Sequence, residues 1–182
     1  MKSIEETYVM LSQKEHILKR PDTYIGSVNK QATEEWVFNK ETQKIEKNVV
    51  EVTPGFIKIF DEILTNAVDH SIRDSTVKKI KVDISQDTGE IVISNDGTGI
   101  PVVIHGEHQV YIPELVFGNF LSGSNYDDTE SRNVAGRNGL GAKLTVLFSK
   151  SFKIETVDSI NRKKFIQTYT DNMATKSKAT VT

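Results

Sequence analysis

The sequence predicts an α+β domain in which helices cover one face of a mixed, mostly antiparallel sheet. Three observations carry this. Residues 79–84 and 90–94 alternate apolar and polar side chains and are joined by Asp87-Thr-Gly89, which predicts a hairpin. Residues 151–157 and 163–169, joined by Asp158-Ser-Ile-Asn161, predict a second. Ahead of both, Phe56, Ile59, Phe60, Ile63, Ala67 and Val68 recur at three- and four-residue spacings, the signature of an amphipathic helix.

In chain order, residues 7–19 read as a helix with Val9, Leu11, His16, Ile17 and Leu18 toward one side, stopped by Arg20-Pro21-Asp22. Residues 26–53 are polar and irregular, with short strands expected at 36–38 and 48–53. The amphipathic helix runs from Pro54-Gly55 to about Arg73, followed by the first hairpin. A helix over 113–121, a long polar loop over 122–137 and a helix over 139–148 precede the second hairpin. The tail, 171–182, is polar and carries no stop signal, so the chain is expected to be a piece of something longer.

Composition narrows the function. The chain has 182 residues, 37% hydrophobic and 26% charged, which suffices for one domain with a hydrophobic core. No apolar run approaches the ~18 residues of a spanning helix, and Met1-Lys-Ser-Ile-Glu-Glu6 is too polar for a signal or transit peptide. The absence of Cys excludes disulfides and thiolate metal sites and fits an intracellular setting. A net charge of −2 gives no global pull toward nucleic acid.

Three segments carry chemistry. On the amphipathic helix Glu62 and Asn66 are four apart, so their side chains leave one face one turn from each other. Facing a nucleotide, the Asn66 amide oxygen can coordinate Mg²⁺ and Glu62 can orient and deprotonate the attacking water. The plainer alternative is a solvent face of the helix.

After the fourth expected strand comes Asn95-Asp96-Gly-Thr-Gly99-Ile-Pro101, whose glycines let backbone approach a ligand closely. The Asp96 carboxylate is expected to be free to accept a hydrogen bond from the adenine 6-amino group, unless the segment is only a turn.

The third segment, Gly136-Arg137-Asn138-Gly139-Leu140-Gly141-Ala142-Lys143, opens into a helix and offers backbone N–H groups and an ammonium to an anion, or else merely caps that helix. It is not a Walker A loop, because Ala142 separates Lys143 from Gly141 and no Ser or Thr follows. Upstream, Ser122-Gly-Ser124-Asn125 offers hydroxyl and amide groups for ribose and phosphate oxygens.

Other features read as solvated surface. His105-Gly-Glu-His108 lacks a third metal ligand at useful spacing, and the basic groups at 78–81 and 162–164 read as solvated strand edges.

Together the three segments resemble the motif boxes of the GHKL ATPases with their Bergerat nucleotide-binding fold. Residues 15–26, 111–118 and 124–128, with Asp171-Asn-Met173, are similar to the N-terminal ATPase region of eukaryotic-type type II DNA topoisomerases, including those of large DNA viruses. That resemblance implies a two-layer GHKL sandwich. Residues 1–26 would form an N-terminal helix and arm exchanged in a dimer, and residues 27–182 an ATP-binding domain truncated before the transducer.

It further implies ATP and Mg²⁺ as cofactors, with Glu62 as general base and Asn66 as metal ligand. Asn95, Asp96 and Gly99 would lie at the nucleoside, and Ser122, Ser124 and Asn125 at ribose and phosphate. Gly136, Arg137, Asn138, Gly139, Leu140, Gly141, Ala142 and Lys143 would form the phosphate lid. The implied partners are double-stranded DNA, through the full-length enzyme, and a second protomer in an ATP-dependent N-terminal gate, with no membrane. The implied location is the nucleus for a cellular eukaryote, or the host cytoplasm, viral factory or virion for a virus.

Gly123 stands where the family usually has a second Ser, and Val134-Ala135 replaces the usual Thr-Gly. Glu62 argues against a sensor kinase of the same superfamily. The segments at 20–26 and 111–128 argue against a chaperone or mismatch-repair ATPase, and a non-hydrolysing nucleotide-binding module remains the rival.

Overall fold

The computed structural model describes residues 3–120, 122 and 139–182. The chain divides into two compact units, residues 1–58 and 59–182. In the first unit α1 (Ile4–Thr7), α2 (Gln13–Lys19) and α3 (Pro21–Tyr24) precede a hairpin of β1 (Gln31–Asn39) and β2 (Lys44–Val52). A separate four-residue helix ends at Thr7, and the helix expected over 7–19 starts only at Gln13. Ser12 starts the second with a capping box: its backbone N–H donates to Glu15 Oε2 at 2.8 Å, and the Glu15 N–H donates to Ser12 Oγ at 3.3 Å. The short strands expected at 36–38 and 48–53 extend into two nine-residue strands in full antiparallel register, from Gln31 opposite Val52 to Asn39 opposite Lys44.

The helix α4 (Pro54–Arg73) occupies the expected span. Beyond it, β3 (Ile80–Ser85) and β4 (Glu90–Asn95) pair antiparallel around the predicted turn. Two short helices follow, α5 (Ile112–Gly118) and α6 (Gly141–Leu147).

The last sheet contains β5 (Ser151–Asp158), β6 (Lys163–Thr170), β7 (Thr175–Lys176) and β8 (Thr180–Val181), with β6 central to the other three. The polar tail is thus partly ordered as strands, because its short segments complete the hydrogen-bonding edge of β6. All strand pairs among the described residues are antiparallel.

The core of the second unit lies between β5–β6 and the helices. Phe165 and Tyr169 from β6, Ile154 from β5, Val146 from α6 and Val102 form one buried cluster, flanked by Tyr111, Phe117 and Phe152. Each such side chain contributes about 1.5–3 kcal/mol by leaving water. Gln167, also buried, is satisfied by accepting from the Tyr169 hydroxyl at 3.1 Å and donating to the Ser177 carbonyl at 3.2 Å. This sheet is the platform against which the next loops are held.

Candidate active site

Glu62 and Asn66 lie half-buried on α4, and Asp69 one turn further is buried. The first turn of α6 meets this face. A Cβ added at Gly141 would overlap Glu62 Oε2 and lie 2.7 Å from its Cδ, so the Glu62 carboxylate rests where any other residue would place its side chain. One turn along α6, the Thr145 hydroxyl donates to the Ile59 carbonyl of α4 at 2.8 Å. These two contacts bring the first and third sequence segments together.

Lys143 is 3% exposed, and its ammonium donates to the Ser122 carbonyl. Burial pushes that ammonium down to about 8. The Ser122 hydroxyl lies 2.6 Å from the carbonyls of Leu115 and Asn119, which ties the start of the polar loop to the end of α5. Gly139 is left-handed at φ +59° and leads through Leu140 into α6. Ser124, Asn125, Gly136, Arg137 and Asn138 lie outside the described residues, as do Gly123 and Val134-Ala135.

The loop after β4 is held from two sides. On one side Asp96 Oδ1 accepts the backbone N–H groups of Lys78 at 2.8 Å and Lys79 at 2.9 Å, which lower its pKa. The carboxylate is therefore not free as expected, because one oxygen is already committed. Asn95 donates through Nδ2 to the Asp96 carbonyl at 2.7 Å. Asp74, immediately after α4, accepts the Thr98 N–H and hydroxyl through Oδ2, both at 2.8 Å.

On the other side Thr156 Oγ1 accepts the Ile100 N–H at 3.0 Å, the Ser159 N–H donates to the Thr98 carbonyl at 3.0 Å, and Asp158 Oδ2 accepts the Val102 N–H at 2.7 Å. Burial raises the Asp158 pKa, but hydrogen bonds from Asn161, Val102 and Ile160 outweigh it and hold the group ionised. Gly99, at φ +80°, has no room for a side chain: its Cβ would overlap the Val157 carbonyl oxygen.

Sequence reading did not find the anchors Asp74, Thr156 and Asp158. Asp74-Ser-Thr76 and Asp158-Ser-Ile-Asn161 both carry the local pattern of an Asx turn, which shows a carboxylate fixed to its own backbone but not its distant partner. The His105 and His108 rings stack at 4.6 Å, and His105 Nδ1 accepts the Glu107 and His108 N–H groups at 3.3 Å. No group of three metal-ligating His, Asp or Glu side chains occurs among the described residues.

The family model described as histidine kinase-, DNA gyrase B- and HSP90-like ATPase matches residues 51–172, from the end of β2 to the turn after β6. The chain belongs to this ATPase family.

Within the family it is similar to "DNA topoisomerase 2" of Candida albicans, 51% identical over 177 residues, covering 97% of this chain and 12% of that protein. It is 46% identical over 179 residues to "DNA topoisomerase 2" of Acanthamoeba polyphaga mimivirus, covering 96% of this chain and 14% of that protein. The chain therefore spans about an eighth of the length of these relatives. Among solved structures it matches the ATPase and transducer domains of DNA topoisomerase II from Balamuthia mandrillaris, with TM-score 0.95 and 43% identity, covering all of this chain and 46% of that one. No helix among the described residues is long and apolar enough to cross a membrane.

Proposed function

We propose that this chain is the ATP-hydrolysing region of a type II DNA topoisomerase. Bound ATP would close residues 1–26 of two protomers into a gate around a DNA duplex, which the rest of the full-length enzyme passes through a transient double-strand break. The observation that carries the catalytic part is the seating of Glu62 against Gly141 at the start of α6, one helical turn from Asn66 and two residues before Lys143. That arrangement sets a candidate base one turn from a candidate metal-ligating oxygen, beside the start of the helix that carries Lys143.

Glu62 takes the proton of the attacking water, a role that requires the carboxylate within hydrogen-bond reach of that water. Its neighbour Asn66 supplies an amide oxygen of the hard type Mg²⁺ prefers. One protein oxygen would suffice, since Mg²⁺ is usually held by one or two protein ligands together with phosphate oxygens and water. Held there, Mg²⁺ would supply positive charge to offset that of the phosphates. Lys143 and the backbone from Gly136 to Ala142 cover the phosphates.

Asn95, Asp96 and Gly99 receive the nucleoside, with Asp96 Oδ2 as the acceptor for the adenine amino group because Oδ1 is already occupied. Ser122, Ser124 and Asn125 contact ribose and phosphate. The protein works inside the cell, where its DNA is.

The test compares residues 1–182 with a chain extended to the length of the solved ATPase and transducer relatives. Phosphate release and light scattering are measured with ATP and with a non-hydrolysable analogue. The extended chain should dimerise with the analogue and turn over, while residues 1–182 alone bind weakly and stay mainly monomeric. Equal dimerisation and turnover by the short chain would contradict the proposed coupling.

A further inference from the structure

The loop from Asp96 to Val102 contains two left-handed glycines, Gly97 at φ +111° and Gly99 at φ +80°. Such a segment has many alternatives when free, and the entropy lost in fixing it would otherwise be charged against nucleotide affinity. Asp74 is built to prevent this. Its own position is set three ways: its N–H donates to the His70 carbonyl at 2.8 Å, and its Oδ1 accepts the Thr76 N–H at 2.9 Å and the Thr76 hydroxyl at 2.6 Å.

The other oxygen faces the loop and takes both donors of Thr98. It lies directly under the glycine turn, since a Cβ on Gly97 would come 2.8 Å from Asp74 Oδ2 and 2.5 Å from Val77 Cγ2. The Thr76 and Thr98 hydrogen bonds lower the Asp74 pKa, so the acceptor stays ionised at neutral pH. His70 Nε2 lies 3.6 Å from the same oxygen.

Asp74 follows Arg73, the last residue of the helix that carries Glu62 and Asn66. Asp74 stands eight positions after Asn66, about 12 Å along a helix axis at 1.5 Å per residue. One rigid element thereby sets both the hydrolytic end of the site and the height of the loop that meets the nucleoside.

We propose that Asp74 is a positioning residue for nucleotide binding, which presets the nucleoside loop through Thr98 and fixes its register against Glu62 and Asn66. The proposal rests on the reading of this site as a nucleotide site. Asn at position 74 would point an amide donor at one of the two donor pairs that the carboxylate now accepts. Either the contact to Thr98 or the Thr76 tie that sets the position of Asp74 would then be broken although the shape is kept.

The experiment measures ATP KM, kcat and melting temperature on the full-length protein for Asp74→Asn, Thr98→Val, Thr98→Ser and the double variant Asp74→Asn/Thr98→Val. Asp74→Asn should raise KM by about tenfold or more and Thr98→Val by about three- to tenfold, the scale of one or two hydrogen bonds to a charged group. At saturating ATP kcat should stay within about twofold, because the catalytic residues are untouched. Thr98→Ser, which retains both donors, should behave as wild type. The double variant should be no worse than Asp74→Asn alone, since both remove one interaction.

A lowered melting temperature with KM unchanged, in Asp74→Asn or in the milder Thr98→Val, would reduce the contact to a structural tie and overturn the proposal. Should Asp74→Asn not fold, the Val and Ser variants at 98 decide the matter alone. Failure of the underlying nucleotide-site reading would look different, because wild-type protein would then not bind ATP.

Discussion

Substituting Gly141 by Ala places one methyl group against the candidate catalytic base. An added Cβ would lie 2.7 Å from Glu62 Cδ, where carbon atoms pack at about 3.5–4 Å, so the carboxyl must retreat by about 1 Å. What it meets is the far end of a flexible side chain, and the backbone at Gly141 is not left-handed, so the fold should absorb the change at about 1 kcal/mol or less. Catalysis should not. A displacement of that size in a reacting group costs on the order of 10²-fold in rate.

The assay is steady-state phosphate release and ATP binding by the full-length protein, with thermal unfolding as the control. The expected pattern is turnover reduced ~10²-fold, affinity changed less than about threefold, and stability nearly kept. Combined with Glu62→Gln, the alanine should add almost nothing, since both act through one carboxylate. Turnover within about threefold of wild type would mean that the Glu62–Gly141 contact does not position the base, and the reasoning would fail.

Two further outcomes follow from the site. Asp96→Asn keeps an oxygen for the Lys78 and Lys79 N–H groups but replaces Oδ2 with a donor. ATP binding should weaken by about 1.5–3 kcal/mol and discrimination against GTP should fall; an unchanged ATP:GTP ratio in competition titrations would remove Asp96 from the site. Lys143 is held near 8 by burial while its unfolded value is about 10.4, so the unfolded state binds more protons between those values and stability should rise with pH across that window. Lys143→Met should remove that slope, stabilise the nucleotide-free protein at pH 7 by about 1–2 kcal/mol after allowance for solvent screening, and weaken ATP binding at least about tenfold. Denaturant titrations across pH that retain the slope in the variant would refute this.

Much of the fold was legible because its signals are local. The periodicity of α4 and the alternation in the two long hairpins of the second unit depend on neighbours a few residues away, and the structure places those elements within a residue or two of expectation. The break before α2 was also written locally, in Ser12 and Glu15, but was overridden by an apolar pattern that continued through Val9 and Leu11. The strands β7 and β8 are two residues each and acquire meaning only by pairing with β6.

In the site, the four-residue spacing of Glu62 and Asn66 and the glycines of the two loops were readable as chemistry. Their mutual placement was not. Gly141 meets a carboxylate 79 positions earlier in the chain, and the anchors Asp74 and Asp158 reach Thr98 and Val102 across 24 and 56 residues. The expected freedom of the Asp96 carboxylate is halved for the same reason, since Lys78 and Lys79 approach its Oδ1 through strand pairing.

The central claim is that Glu62 acts on water while Asn66 acts on the metal, and one pair of binding isotherms separates the two. Mg·ATP affinity and phosphate release are measured side by side for Glu62→Gln and Asn66→Ala in the full-length protein. The account predicts that Glu62→Gln binds Mg·ATP as tightly as wild type and loses turnover by at least ~10²-fold, whereas Asn66→Ala loses both. Equal loss of Mg·ATP affinity in the two variants would contradict it.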